Sequence, residues 1–158
     1  MRALNPHQTM SHWTGIKTEL RDLTALDAAV TELGGVLVCG PAARARGYLN
    51  RTRDCAHAIC LPQSPYDIAV DLQPDGTFAL STDWYQGHVE KVVGKDFGRL
   101  IQAYNIHKMD LEAMARGQQT ARYRHAATNR QVLLVGERGQ RPVLDRSIVP
   151  TPSDWVAM

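Results

Sequence analysis

Residues 66–84, YDIAVDLQPDGTFALSTDW, carry the clearest structural pattern in the chain. Ile68, Val70 and Leu72 alternate with Asp67, Ala69 and Asp71, which is typical of a strand with one buried face. The four residues 73–76, Gln-Pro-Asp-Gly, are a turn signal, because proline presets φ, aspartate can bond its own backbone and glycine adopts positive φ. Residues 77–84 resume the alternation with Phe78 and Leu80. The stretch therefore predicts a β-hairpin with one face in the core.

The residues before the hairpin predict a strand, a helix and further strands. Residues 11–20 mix β-branched and aromatic residues at period two, and Thr24 is suited to cap a helix that ends at Gly34-Gly35. Residues 36–39 and 54–61 read as strands. Residues 40–53 are punctuated by glycine and proline, and we expect mostly loop there, with strand pairing near Tyr48.

The residues after the hairpin predict two helical pieces and two strands. Residues 88–104 place apolar side chains along one stripe, and a second helical piece covers 106–116. Residues 120–126 and 131–136 read as strands joined by a polar turn at Thr128-Asn129. Strands that cluster between helices indicate a single-domain α+β fold with a mainly antiparallel sheet and helices on one face. We expect an N-terminal extension at 1–9, the α+β domain at 10–137 and an irregular tail at 138–158.

Composition narrows the class of protein. The chain has 158 residues, is 44% hydrophobic and carries a net charge of +2, which fits one globular domain and gives no bulk charge for nucleic acid or membrane binding. No window is apolar enough to predict a membrane span. Three cysteines and no leader-like N-terminus favour reduced thiols and a cytoplasmic location.

Two segments of the chain resemble motifs of a known family. The opening at 10–34, MSHWTGIKTELRDLTALDAAVTELG, contains Met-Ser-His-aromatic, Ile-Lys-Thr and Asp-Leu-x-x-Leu, and a later helix carries Gln-x-Tyr-x-x-His-Lys at 102–108. Between them lie Arg-Gly-Tyr at 46–48, Thr-Arg at 52–53 and Tyr-Asp-Ile at 66–68. This order resembles the family named domain of unknown function twelve-fifty-seven, which includes the plastid hypothetical conserved open reading frame thirty-five and cyanobacterial, bacterial and phage relatives. The resemblance implies an accessory protein that binds a protein partner, for which an AAA-type ATPase is the expected candidate.

Cysteine and histidine chemistry is the first alternative to partner binding. Cys55, His57 and Cys60 have a spacing that invites a metal, but a strand over 54–61 would put Cys55 and His57 on one face and Cys60 on the other, short of four zinc ligands. No nucleophile elbow, phosphate-binding loop or dinucleotide fingerprint occurs. We expect no cofactor, no metal and no enzymatic activity, although a cysteine–histidine pair assembled by the fold stays open.

The arginine-rich stretches are the stronger candidates for binding. Tyrosine and arginine side chains provide large contact area and directed hydrogen bonds at interfaces. Residues 116–158 hold seven arginines against three acidic residues, which leaves nucleic-acid binding as the alternative function. The candidate partner-binding residues combine the arginine-rich stretch with the family-like motifs: Arg46, Tyr48, Arg53, His12, Lys17, Tyr104 and His107.

Overall fold

A computed structural model describes residues 13–158 of the chain. The chain divides into two compact units, Met1–Tyr104 and Asn105–Met158. Every strand pair in the described residues is antiparallel, and helices accompany the sheets. The predicted α+β class with a mainly antiparallel sheet is therefore confirmed. No helix within residues 13–158 is both long and apolar enough to cross a bilayer.

The first unit is built on a five-stranded sheet whose strand order is β1-β7-β6-β5-β2. Its strands are β1 (Trp13–Lys17), β2 (Val36–Cys39), β5 (His57–Cys60), β6 (Ile68–Leu72) and β7 (Phe78–Asp83). The predicted hairpin is β6–β7, in register from Leu72 opposite Phe78 to Ile68 opposite Thr82. Its turn closes as the residue types require, since Gly76 has φ of +84° and Asp75 Oδ1 accepts the Thr77 N–H at 3.0 Å.

One face of this sheet carries the large apolar side chains. Ile59, Ile68, Val70 and Leu80 are at most 1% exposed and alternate with the small residues of the other face. Helix α1 (Leu23–Glu32) adds a further buried group to the core: Ala25, Leu26, Ala29 and Val30. At 25 cal/mol per Å² of apolar area, burial of such side chains is the main stabilising contribution.

The other face of the sheet is covered by a short two-stranded ribbon. Strands β3 (Arg44–Arg46) and β4 (Thr52–Asp54) form this ribbon, whereas the sequence predicted mostly loop over 40–53. Ala43 and Ala45 of the ribbon pack against Ala58 and Ala69 of the sheet, all at most 1% exposed. Small side chains on both surfaces allow this close approach, and the three-residue strands are too short to give a periodic signal in the sequence.

The N-cap of helix α1 lies two residues earlier than the sequence predicted. Asp22, not Thr24, is the N-cap, and its Oδ1 accepts the N–H groups of Thr24 at 2.9 Å and Ala25 at 3.1 Å. An N-cap carboxylate satisfies backbone donors that have no partner within the helix. Aspartate and threonine are both favoured N-cap residues, so residue type alone does not place the cap at Asp22.

The predicted helix over 88–104 is wrong in its extent. The structure has a single turn, α2 (Glu90–Val93), and then the long helix α3 (Gly98–Ala115), which continues through the predicted break at 105. Gly94 separates them with φ of +80°, and a Cβ there would lie 2.9 Å from the Arg99 backbone nitrogen. The glycine therefore marks a chain reversal that only glycine accommodates.

The second unit contains a three-stranded sheet in the order β10-β8-β9. Strands β8 (Gln118–His125) and β9 (Gln131–Arg138) overlap the predicted strands at 120–126 and 131–136; β8 begins two residues earlier and ends one residue earlier, and β9 ends two residues later. The predicted irregular tail is wrong in one respect, because β10 (Trp155–Ala157) pairs with β8. The tail is held by a local cluster in which Leu144, Val149 and Trp155 pack against Ala121 and Tyr123.

Candidate functional site

Arg46 is bound inside the chain by a buried carboxylate. Its Nε lies 2.8 Å from Asp67 Oδ2 and its Nη2 lies 2.8 Å from Asp67 Oδ1, a two-point ion pair with a side chain that is 1% exposed. The same Nη2 donates to the carbonyl oxygens of Leu61 and Ser64, at 3.1 and 3.0 Å. Hydrogen bonding to Asp67 raises the pKa of the Arg46 guanidinium. The Nε and Nη2 groups of Arg46 thus make intramolecular contacts that fasten β3 to the residue before β6, while the Arg46 side chain as a whole is 48% exposed.

Tyr104 is a buried residue that makes intramolecular hydrogen bonds. It is 4% exposed, and its hydroxyl oxygen accepts the backbone N–H groups of Arg21 at 3.0 Å and Asp22 at 2.9 Å. These two donors precede α1 and have no helical partner. Tyr104 therefore fastens the start of one helix to another, and its place in a family-like motif is explained by packing.

Tyr48 lies in the turn between β3 and β4. It is half-buried, and its ring meets the Tyr85 ring edge-on at 5.2 Å between centroids. Leu49 follows at φ of +56° and is 69% exposed. Tyr48 presents part of one ring to solvent at the tip of the ribbon.

Arg53 has a different environment from Arg46. Its Nη2 lies 2.7 Å from Asp71 Oδ2, its Nη1 donates to the Ser81 hydroxyl, and its guanidinium carbon is 5.7 Å from the centre of the Trp13 ring. The side chains of Arg53 and Asp71 are 38% and 30% exposed, so this ion pair is open to water. A planar guanidinium held by a carboxylate, a hydroxyl and an aromatic face keeps one orientation.

The remaining candidates are dispersed. Lys17 is exposed at the end of β1, opposite Ala79 of β7. His107 is half-buried on α3, in the second unit, and His12 lies outside the described residues. Within the first unit, the five described candidates Lys17, Arg46, Tyr48, Arg53 and Tyr104 do not share one set of contacts.

A surface groove lies beside Arg53, and we call it the Trp13–Arg53 groove. It has a volume of about 330 Å³, and its lining residues are Trp13, Gly15, Arg53, Asp71, Ala79, Leu80 and Ser81. The small residues Gly15, Ala79 and Ser81 form its floor, and Trp13 and Arg53 stand above them. Lys17 follows Gly15 by two residues on the same strand, so its ammonium group emerges on the same face.

Sequence reasoning missed Trp13, Asp71 and Ser81 as site residues. A signal existed for Asp71, because two aspartates, Asp67 and Asp71, share the polar face of the most regular strand in the sequence. When a basic ribbon lies over a sheet face, its arginines are expected to pair with carboxylates on that face, because a covered charge needs a partner. Trp13 and Ser81 could be identified as groove residues only from the register of β1 against β7, which places Gly15 opposite Ser81.

The cysteines and His57 do not converge. The strand predicted over 54–61 is interrupted between Asp54 and His57, so Cys55 and His57 do not share a face as predicted. Cys55 packs against the alanine cluster under the ribbon, and His57 contacts the Phe78 ring on the other face of the sheet. Among residues 13–158, no three His, Cys, Asp or Glu side chains are grouped to hold a metal ion. Burial raises the pKa of the Cys55 and Cys60 thiols, which disfavours the thiolate.

The fold and the groove together define an α+β protein with a polar, partly aromatic surface cleft. No family model, no curated protein and no solved structure matches the chain. The resemblance to the family domain of unknown function twelve-fifty-seven therefore stays a prediction.

Proposed function

We propose that the chain is a non-enzymatic accessory protein that binds a segment of a protein partner in the Trp13–Arg53 groove. The observation that carries this proposal is the groove itself, with an indole and an oriented guanidinium above a floor of small residues. Tryptophan and arginine are the residue types most enriched among those that dominate binding energy. Of the sequence candidates, the proposal retains Arg53 and Lys17 at the groove and Tyr48 at the tip of the ribbon.

The donors around the groove favour a partner segment with an acidic or amide side chain. Lys17 and Arg53 flank the floor with positive charge, and Asp71 balances only one of them. Ser81 adds a hydroxyl that can donate or accept. An AAA-type ATPase, expected from the family resemblance, is the partner to test first. A cytoplasmic location belongs to the same proposal and is supported by three free cysteines.

Gly15→Val is the sharpest test of this groove. A Cβ at Gly15 would lie 3.4 Å from Ser81 Cβ, an ordinary contact, and no positive φ requires glycine there. Valine favours a strand, so the fold should persist while the branched side chain fills the floor. We expect partner affinity to fall at least tenfold, about 1.4 kcal/mol. The measurement is affinity purification with quantitative mass spectrometry, followed by titration of the retained partner.

Thr14→Val is the matched control. Thr14 is exposed on the same strand but points to the opposite face, so the same side chain is introduced outside the groove. Partner retention should equal that of the unchanged protein. If Gly15→Val folds and keeps every partner, the groove is not the binding site.

Nucleic-acid binding is the second candidate function, and it rests on the second unit. Strand β8 places Arg122 and Arg124 on one face, and the exposed Arg124 donates from Nη1 to Asn129 Oδ1 at 3.3 Å. Residues 116–158 carry a charge of +4, and the other arginines of this segment are exposed at 116, 130, 138, 141 and 146.

Salt dependence tests this alternative. If phosphates bind these arginines, affinity for single- or double-stranded DNA or RNA should fall steeply with salt, because each contact releases counterions. Removing Arg122 and Arg124 together should reduce the slope of log affinity against log salt by about 2. Fluorescence anisotropy with short labelled oligonucleotides measures the slope. Absence of binding to all four polymers at low salt would reject this function.

A further inference from the structure

A second concave site lies in the first unit, and we call it the Lys91–Arg99 cleft. Its volume is about 500 Å³, and it shares no lining residue with the Trp13–Arg53 groove. Sites for small molecules typically have volumes of about 300–1,000 Å³ and a few converging polar groups. The polar residues that line the cleft are Glu32, Gln63, His88, Lys91 and Arg99.

One wall of the cleft is basic because of local helical geometry. His88 and Val89 have helical φ and ψ and continue into α2. Residues three and four apart on a helix lie on the same face, so His88 lines the cleft together with Lys91 and Val92. The His88 ring meets the buried Tyr66 ring edge-on at 5.7 Å between centroids, which orients the imidazole.

Arg99, at the start of α3, is brought to this wall by the chain reversal at Gly94. Its Nη1 donates to the carbonyl oxygens of Lys91 at 3.0 Å and Val92 at 3.3 Å. Among residues 13–158, only these backbone oxygens accept from Arg99, and Lys91 makes no side-chain hydrogen bond or ion pair. The two neighbouring cations therefore have no carboxylate partner in this part of the chain, and their charge can act on a bound anion.

The other wall comes from the end of α1 and the loop after β5. Glu32 is the last residue of α1 and supplies a carboxylate, and Gln63 supplies an amide. Gly34 has φ of +82°, and a Cβ there would collide with the Gln63 amide nitrogen. Glycine at this position leaves room for the amide beside the end of the helix. This wall thus offers hydrogen-bond acceptors and donors, whereas the basic wall offers donors.

Strained backbone flanks the basic wall on both sides. Gln86, two residues before His88, has φ of +55°, and Asp96 and Phe97, just before Arg99, have φ of +51° and +63°. Residues other than glycine rarely adopt this left-handed region, and those that keep it cluster at ligand-binding positions. Phe97 is 0% exposed, so packing in the core holds the second turn in this conformation. Two strained turns therefore fix where the basic wall begins and ends.

We propose that the Lys91–Arg99 cleft binds a small phosphorylated compound whose carbon skeleton carries hydroxyl groups, as a sugar phosphate does. Lys91 and Arg99 provide two positive charges, which match the charge of about −1.5 to −2 on a phosphate monoester at pH 7 and exceed that of one carboxylate. The three phosphate oxygens accept from the ammonium, guanidinium and imidazole donors together. The hydroxyl groups then meet the other wall, where Glu32 accepts hydrogen bonds and Gln63 donates or accepts them.

Nuclear magnetic resonance titration of the full isotope-labelled chain tests the proposal with glucose 6-phosphate, inorganic phosphate, glucuronate and glucose as probes. Glucose 6-phosphate should shift the amide signals of the cleft residues saturably, with a dissociation constant on the order of 0.1–1 mM. Inorganic phosphate should bind more weakly at the same residues, and glucose should not bind. Glucuronate binding as tightly as glucose 6-phosphate would make this a carboxylate site and overturn the phosphate assignment. Inorganic phosphate binding as tightly would overturn the role of the hydroxyl groups.

Lys91→Gln and Lys95→Gln are the matched variants. Both lysines are exposed, and only Lys91 lines the cleft, so the two changes remove the same charge from inside and outside the site. Lys91→Gln should raise the dissociation constant for glucose 6-phosphate by about fivefold or more, because a charge-assisted hydrogen bond is lost. Lys95→Gln should change it by no more than about twofold, because salt and water screen a charge outside the site.

Two results of this comparison would overturn the proposal. Equal weakening by both variants would mean that net charge attracts the anion without a site. The absence of saturable shifts at the cleft residues with every phosphate probe would mean that the cleft binds no phosphate. Either result leaves the proposed partner binding intact, because Gly15→Val tests a groove with which this cleft shares no lining residue.

Discussion

Replacing Arg46 with alanine is expected to lower the free energy of unfolding by about 2–3 kcal/mol, because it removes the partner of a buried carboxylate, while water already screens the Arg46 side chain, which is 48% exposed. Asp67 is 1% exposed, and Arg46 supplies two side-chain donors to it. The N–H groups of Arg46 and Leu61 would still bond the carboxylate, each at 3.0 Å, which favours the lower end of that range. Urea unfolding followed by circular dichroism measures the change.

Arg44→Ala is the matched control for this prediction. Arg44 lies on the same strand and pairs with Asp54 at 3.1 Å, but the two side chains are 67% and 85% exposed. Exposed pairs contribute little, so the expected change is within about 0.5 kcal/mol. The double variant Arg46→Ala with Asp67→Asn should lose less than the two single changes combined, because the buried charge is gone. A loss for Arg46→Ala no larger than that for Arg44→Ala would show that Arg46 is not an internal tie.

Removing the Tyr104 hydroxyl, with Tyr104→Phe, is expected to cost about 2 kcal/mol of stability. The ring and its packing remain, whereas the N–H groups of Arg21 and Asp22 lose their acceptor. Tyr104 is buried and the two hydrogen bonds are part-buried, so donors that lose this acceptor keep part of the penalty of desolvation. Thermal and urea unfolding should both report the loss.

Tyr48→Phe is the control: it shows whether replacing a tyrosine by phenylalanine lowers stability where the hydroxyl is not needed for packing. Tyr48 is half-buried on the turn of the ribbon, and its ring contact with Tyr85 does not need the hydroxyl. We expect little change in stability there. If Tyr104→Phe is as stable as the unchanged protein but loses a binding partner, Tyr104 belongs to an interface and its inward placement is wrong.

The arginine-rich ribbon shows which features of a binding site can be predicted from local sequence and which cannot. The sequence marked Arg46, Tyr48 and Arg53 as one group, and the basic stretch is indeed one ribbon. Their environments differ in the carboxylate that each one meets: Arg46 meets Asp67, 21 residues away and 1% exposed, whereas Arg53 meets Asp71, 18 residues away and 30% exposed. Nothing local to residues 44–54 distinguishes the two arginines.

Sequence patterns that span only a few residues were sufficient to predict the fold class. The alternation in β6 and β7, the turn at 73–76 and the β8–β9 pair follow from periodicity and turn chemistry that operate within a few residues. The division of the helix at Gly94 is local, since it follows from the φ of +80° at that glycine. By contrast, β10 depends on its pairing with β8, and the N–H of the cap residue Asp22 is held by the Tyr104 hydroxyl, 82 residues away. Propensity is outweighed at such positions by tertiary contacts.

The amino-acid sequence by itself determined the antiparallel α+β class and the β6–β7 and β8–β9 pairs, because burial periodicity and turn chemistry are encoded locally. Only the tertiary structure decided which polar side chains remain available for binding. Strand register sets whether a guanidinium faces a buried carboxylate or a groove open to water, and register is a property of segments far apart in the chain.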